Sequence, residues 1–221
     1  FKGVPLYGNY KYDDEGIAAR KVEVVKNGTF ASYLMSRQPV EGISNSNGHG
    51  RCEPGMAPVS RQSNLFVTSK TYIPEEDLHE KLRKMCKKQK KEYGYLFEEV
   101  IGGFTRADRM SINAFNIIPI VVYRVYTDGR PDEMVRGVSL IGTPLTMFSE
   151  IEACGGKQAV FNGYCGAESG SVPTSTIAPS LRPRLTSADV GEWELIDKVK
   201  HESLPAVFKA ADMLHYGLCN T

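Results

Sequence analysis

Ile118-Pro-Ile-Val-Val-Tyr-Arg-Val-Tyr-Thr-Asp-Gly-Arg130 is the stretch on which the fold turns. A run of β-branched and aromatic residues leads into Thr-Asp-Gly-Arg, where Asp and Gly accept the unusual backbone angles of a tight turn between antiparallel strands. Residues 95–101 and 111–116 before it, and residues near 134–140 after it, have the same strand composition. A sheet of mostly antiparallel strands follows. The longest apolar run, 117–125, is interrupted by Pro119, and no stretch of eighteen apolar residues exists to cross a membrane as a helix.

Working outward, residues 17–34 read as a hairpin. Lys21-Val-Glu-Val-Val25 and Thr29-Phe-Ala-Ser-Tyr33 are joined through Lys26-Asn-Gly28, whose Asn-Gly supplies positive φ. Residues 42–63 read as a long irregular loop rich in Gly, Asn, Ser and Pro, and long ordered loops often carry function. A strand is expected over 64–72. Pro74-Glu-Glu-Asp77 then suits a helix N-terminus, and Leu78, Leu82 and Met85 recur at helical spacing toward Lys91. Its cluster of Lys84, Lys87, Lys88, Lys90 and Lys91 reads as a solvated face complementing the helix dipole.

Thr143-Pro144 begins a short helix with Leu145, Phe148, Ile151 and Glu152, which Gly155-Gly156 is expected to cap. Strands are expected at 159–162, 171–178 and 192–199, and Ser203 is placed to N-cap a terminal helix striped by Leu204, Val207, Phe208, Ala211 and Leu214. The fold class is α+β, a predominantly antiparallel sheet of barrel or sandwich type with a few flanking helices. Residues 1–200 form the domain, and 201–221 a helical extension.

Composition narrows the function. The 221 residues are 41% apolar, which excludes a disordered chain, and 27 basic against 26 acidic side chains leave a net charge of +1. No field draws the protein to nucleic acid or an anionic membrane. The five scattered cysteines, with no C-x-x-C pair, fit free thiols in a reducing compartment, so a cytoplasmic setting is expected. The chain opens at Phe1 without a charged-then-apolar leader, and a larger upstream portion is expected.

The histidines form no complete site. His79-Glu80 and His201-Glu202 lack a second histidine within five residues, and His215 stands apart. His49 lies in Asn47-Gly-His-Gly-Arg51, a glycine-rich loop without the Lys-Ser/Thr ending of a phosphate loop. Ser169 lacks the glycine two residues before it that a nucleophile elbow needs. Cys165, in Asn162-Gly-Tyr-Cys-Gly-Ala-Glu-Ser-Gly170, is placed on a glycine-dense turn between two strands; by composition alone it reads as a small buried hydrophobe.

The order of segments resembles the TldD/PmbA family over about residues 7–200. The resemblance is carried by Asp13-Asp-Glu-Gly16, Ser46-Asn-Gly-His-Gly-Arg51, Arg61-Gln-Ser-Asn64, Gly102-Gly103, Tyr126-Thr-Asp-Gly129 ahead of Val135-Arg-Gly-Val-Ser-Leu-Ile-Gly142, and the segment 162–170 leading into Val172-Pro173 and Ala178-Pro179. Members have been called modulators of DNA gyrase and are regarded as zinc metallopeptidases. In TldD-type members two histidines of a His-Glu-x-x-x-His helix and the cysteine of a Cys-Gly-x-Glu turn bind zinc, and that cysteine matches Cys165. A catalytic zinc keeps three protein ligands and an open position for water.

The resemblance thus implies a domain that supplies the third zinc ligand, Cys165, and no catalytic residue of its own, the histidine helix lying outside this chain. Isolated, it should be inactive. Asn47, His49, Arg51, Arg61 and Asn64 match the part of the family cleft that would hold an extended peptide. The implied substrates are unfolded or short peptides, and the implied assembly is a homodimer or a heterodimer with a paralogue. A non-catalytic PmbA/TldE-like scaffold subunit is the alternative.

Overall fold

The structure, a computed structural model, describes residues 1–106, 113–183, 189–193, 199–203 and 206–208. Its first strands are short: β1 (Val25–Lys26), β2 (Thr29–Phe30), β3 (Gly50–Arg51), β4 (Val59–Ser60) and β5 (Asn64–Phe66). Helix α1 (Glu75–Lys88) precedes the long strands β6 (Tyr93–Arg106) and β7 (Ala114–Tyr126), then β8 (Glu133–Val135) and β9 (Val138–Gly142). Helix α2 (Pro144–Ser149) leads to β10 (Ile151–Ala167), β11 (Gly170–Pro183), β12 (Asp189–Trp193), β13 (Val199–Ser203) and β14 (Ala206–Phe208). The fold is α+β and dominated by antiparallel sheet, as the sequence leads one to expect. No helix among the described residues is long and apolar enough to cross a membrane.

The chain divides into two compact units, Phe1–Leu65 with Asn162–Ser175, and Phe66–Phe161 with Thr176–Thr221. The second is built on the β6/β7 hairpin. β7 pairs on its other edge with β8 (Val122↔Val135) and with β9 (Ile117↔Leu140), and β9 continues to β12 and β13. Between those two pairings, residues 118–121 of β7 have no partner from β8 or β9. On the β6 side the register shifts around Val100, which faces Pro119. A proline has no N–H to donate, so it is tolerated in this interior strand only where a bulge and a gap coincide.

Tyr95, Phe97, Phe115, Ile117, Val122 and Leu140 form the core beneath this sheet, with Met147 of α2 against them. Helix α1 has Pro74 as its N-cap residue, carries Glu75, Glu76 and Asp77 in its first turn and Lys87 and Lys88 in its last, the acids and lysines complementing the helix dipole. It buries Leu78, Leu82 and Cys86, at i, i+4 and i+8, on Leu96, Val125 and Ala153. Each leucine so buried contributes about 1.5–3 kcal/mol.

Three expectations are corrected. The helix at Pro144 ends at Ser149, and residues 151–156 belong to β10 rather than to a helix with a Gly155-Gly156 cap. Gly155 lies under the Glu75 carboxylate, where a Cβ would stand 2.2 Å from Oε1, and Gly156 N donates to Ile73 O at 3.0 Å. The strand expected over 64–72 is limited to Asn64–Phe66. Residues 199–203 and 206–208 are strands where the sequence leads one to expect a helix from Ser203, and β14 runs parallel to β6 (Val207↔Leu96). The rest of that helix, 204–205 and 209–221, lies outside the described residues.

Candidate functional site

The first unit is organised by an acidic turn. Asp13 Oδ1 accepts from Glu15 N (3.1 Å) and Ile17 N (2.8 Å), while Oδ2 accepts from Gly50 N (2.9 Å). Asp14 Oδ2 accepts from Cys52 N (2.8 Å), and Glu15 Oε2 from Arg37 N (2.6 Å). The segment Asp13-Asp-Glu-Gly16 therefore spends its carboxylates on main-chain donors, fixing the loop that carries His49 and Arg51. Gly48, at φ +79°, would bring a Cβ to 2.3 Å of Ala18 O. Close packing, rather than an anion cradle, explains this glycine.

Asn47 is stitched into the same framework. Its Oδ1 accepts from Met35 N (2.8 Å) and its Nδ2 donates to Tyr33 O (2.9 Å). His49, 5% exposed, directs Nδ1 at Asn47 O (3.2 Å) and Oδ1 (3.1 Å); both are acceptors, so Nδ1 carries the proton. Burial holds the imidazole pKa below its ordinary value, opposed by the hydrogen bond to Asn47 and assisted by the charge of Arg51. The ring is neutral at physiological pH. Asn64 Nδ2 donates to Asn9 Oδ1 (2.7 Å), and its own Oδ1 is buried without a hydrogen-bond partner.

Two arginines and one serine organise the segment around Cys165. Arg61, 5% exposed, donates from Nη1 to Ser169 Oγ (2.8 Å) and Gly170 O (2.9 Å), and from Nη2 to Cys165 O. Ser169, 1% exposed, donates from its hydroxyl to Arg51 O (2.9 Å). Arg61 N also donates to His49 O (2.8 Å). This closed set joins the His49–Arg51 loop, the β3/β4 hairpin and the β10–β11 connection. Arg51 packs its guanidinium over the Tyr10 ring (4.9 Å to the centroid) and donates from Nη1 to Gln62 O (2.7 Å). Tyr10 OH in turn donates to Gly48 O (2.8 Å).

Cys165 is not on an exposed turn. It lies within β10 and is 2% exposed, and the turn proper is Glu168-Ser169. Its surroundings are nevertheless not purely apolar, because Arg51 lies within electrostatic range of the thiol. Glu168, the acid of the same turn, is exposed. Ser169, and not this acid, ties the turn to the two arginine segments. The sequence reading misses it by weighing the serine only as a nucleophile; its glycine-flanked place at a strand connection is the available signal.

These donors do not make a zinc site by themselves. Among the described residues no group of three His, Cys, Asp or Glu side chains stands close enough to hold a metal ion. Cys165 fits such a centre as a single donor, which needs the remaining donors from elsewhere.

A model of the PmbA/TldA metallopeptidase C-terminal domain matches residues 4–188. The chain is 29% identical over 184 residues to a metalloprotease of Archaeoglobus fulgidus, covering 83% of this chain and 40% of that protein. It is 28% identical over 185 residues to a metalloprotease of Methanothermobacter thermautotrophicus (80% and 36%), and 26% identical over 168 residues to one of Methanocaldococcus jannaschii (76% and 34%). It thus spans little more than a third of the curated relatives it matches. A crystal structure from Thermotoga maritima, described as a candidate modulator of a DNA gyrase, shares the fold with a TM-score of 0.50 at 21% identity, covering 79% of this chain and 34% of that one. With the family model matching from Val4 onward through almost the whole first unit and most of the second, this chain belongs to the PmbA/TldA metallopeptidase family, as its C-terminal domain.

Proposed function

We propose that this domain supplies one metal ligand, Cys165, and the peptide-holding surface of a zinc metallopeptidase acting on unfolded or short peptides. The observation that carries the reading is the position of Cys165: a buried thiol within electrostatic range of Arg51, its own carbonyl held by Arg61. Zinc, when bound, supplies Lewis acidity to a water and a peptide carbonyl. This chain's part is to hold a sulfur donor in a fixed place and to exclude water around it. Hydrogen bonds around a metal ligand fix its direction, and losing one typically costs about 10–100-fold in metal affinity.

Asn47, His49, Arg51, Arg61 and Asn64 belong to the substrate-holding surface in this reading, Asn47 and Arg61 through the main chain they fix. A dimer, with an identical chain or a paralogue, and a reducing cytoplasmic setting complete the proposal; Cys52, Cys86, Cys154 and Cys165 are free thiols, which supports the latter.

The 221-residue chain alone is expected to retain no stoichiometric zinc and to cleave no peptide. A protein of the relatives' length that contains it should do both, and Cys165→Ala should abolish both. Undiminished zinc in that variant removes Cys165 from the centre. A non-catalytic scaffold subunit is the second reading, favoured by the Arg51 guanidinium in electrostatic range of the thiol, whose charge opposes a metal cation. Peptide binding by the full-length protein with no zinc in either form would select it.

A further inference from the structure

We infer that Arg51 is a carboxylate-recognising residue, its Nε–Nη2 edge binding an acid group of the peptide that this domain holds. The inference rests on the peptide-binding reading above and narrows it to a substrate class.

Arg51 is 6% exposed, as deeply placed as a core residue. Charged side chains are found at such depth when they are paired. Arg51 has no such partner: among the described residues no carboxylate oxygen lies within 4.0 Å of its guanidinium. Asp14 is in electrostatic range, but its Oδ2 is engaged by Cys52 N, and Arg61 adds a second positive charge on the same group. The Tyr10 ring covers one face of the guanidinium, and Nη1 is taken by Gln62 O.

What remains is Nε and Nη2. These two donors lie side by side on one edge of the planar group and match the two oxygens of a carboxylate with parallel hydrogen bonds. Neither is among the buried polar atoms sealed without a partner, so both reach accessible space. The other polar side chains of this surface are differently committed: Asn47 is turned to main-chain groups, Arg61 to two main-chain carbonyls and the Ser169 hydroxyl, and the His49 ring is neutral. Arg51 is the cation left with a free bidentate edge. A peptide presents a carboxylate either at its C-terminus or on an Asp or Glu side chain.

The metal-free 221-residue chain suffices for the test, with calorimetric titration of two peptide pairs. The first is tetra-alanine as the free acid and as the C-terminal amide. The second is N-acetylated, C-amidated Ala-Asp-Ala and Ala-Asn-Ala. At least one acid is expected to bind ten-fold or more tightly than its neutral counterpart; preference in the first pair assigns the C-terminus, and preference in the second assigns a side chain. Equal affinities in both pairs, or no binding of any peptide at millimolar concentration, overturn the inference. Arg51→Gln should erase the preference and Arg51→Lys keep part of it, and a preference that survives Arg51→Gln also overturns it.

Acetate competition on the unaltered chain guards against a variant that fails to fold: acetate should weaken binding of the preferred acid more than chloride at equal ionic strength, and equal effects count against the inference. Because this assay uses neither metal nor hydrolysis, its failure is separate from loss of zinc on Cys165→Ala.

Discussion

Arg61 Nη2 donates to the main-chain carbonyl of Cys165, a buried hydrogen bond between residues 104 positions apart. The same guanidinium reaches Ser169 and Gly170, so one side chain closes the distance between the β4 end of the first segment and the strand that carries the thiol. Arg61→Met would leave several buried acceptors unsatisfied, and a loss of roughly 3 kcal/mol is expected. Arg61→Lys should recover only part of it, since an ammonium does not reproduce the planar fork. Urea unfolding followed by circular dichroism checks this, and an unchanged midpoint in Arg61→Met would show that the bonds contribute nothing.

Two glycines with the same backbone angle separate sterics from conformation. Gly28 sits at φ +78° with nothing within 4 Å of the place a Cβ would take, whereas Gly48 at φ +79° would put that atom 2.3 Å from Ala18 O. Gly28→Ala should cost about 1 kcal/mol, the ordinary penalty for a side chain in the left-handed region. Gly48→Ala should cost clearly more, because main chain must move as well. Thermal unfolding of the pair gives the comparison; equal shifts would remove the close packing of the loop on Ala18.

Pro119 is expected to be replaceable. It stands where β6 bulges and where neither β8 nor β9 pairs with β7, so Pro119→Val should change stability by less than about 1 kcal/mol. Val122→Pro, three residues on and paired with both Phe97 and Val135, should cost about 3 kcal/mol or more. Similar unfolding midpoints for both variants would contradict the interrupted ladder.

His49 predicts a pH dependence. Its folded-state pKa is depressed, chiefly by burial, so the unfolded chain binds a proton more readily than the folded one. The stabilisation from keeping this ring neutral is present above the unfolded value of about 6.5 and is lost as pH falls through the lower folded value. His49→Gln should flatten the stability profile below about pH 6.5. An identical slope in wild type and variant would place the dependence on another group.

How far the sequence can be read depends on the range of the interaction. Asn27-Gly28 is legible because a tight turn states its demand locally, and Asn27 and Gly28 do take φ of 53° and 78°. The strands around it are shorter than their composition suggests, since β1 and β2 have two residues each. Helix α1 is legible from Pro74, its acids and the Leu78–Leu82 spacing, although the stripe continues through Cys86 instead of Met85. The glycines of β10 mislead because a Gly pair after a helix resembles a cap, while the contact that Gly155 makes, with Glu75, lies far away in the sequence.

The same limit governs the candidate site. Cys165, Arg51 and Arg61 can be singled out as residues, but the contacts that decide what each does are not local. Nothing near Arg61 says that its partners are Cys165, Ser169 and Gly170. Asp13 draws notice in the sequence only as part of a family segment; its grip on Gly50 N, 37 residues on, becomes visible in the fold.

The grip of Arg61 on partners more than a hundred residues downstream also sets an order of events during synthesis. Until the ribosome has released the stretch through Gly170, the guanidinium has no buried acceptors to meet and its best surroundings are water. The contacts of Asp13 and Asn47 lie within the first sixty-five residues and are open to that segment early, whereas the bonds of Arg61 can only come last, together with the thiol at 165.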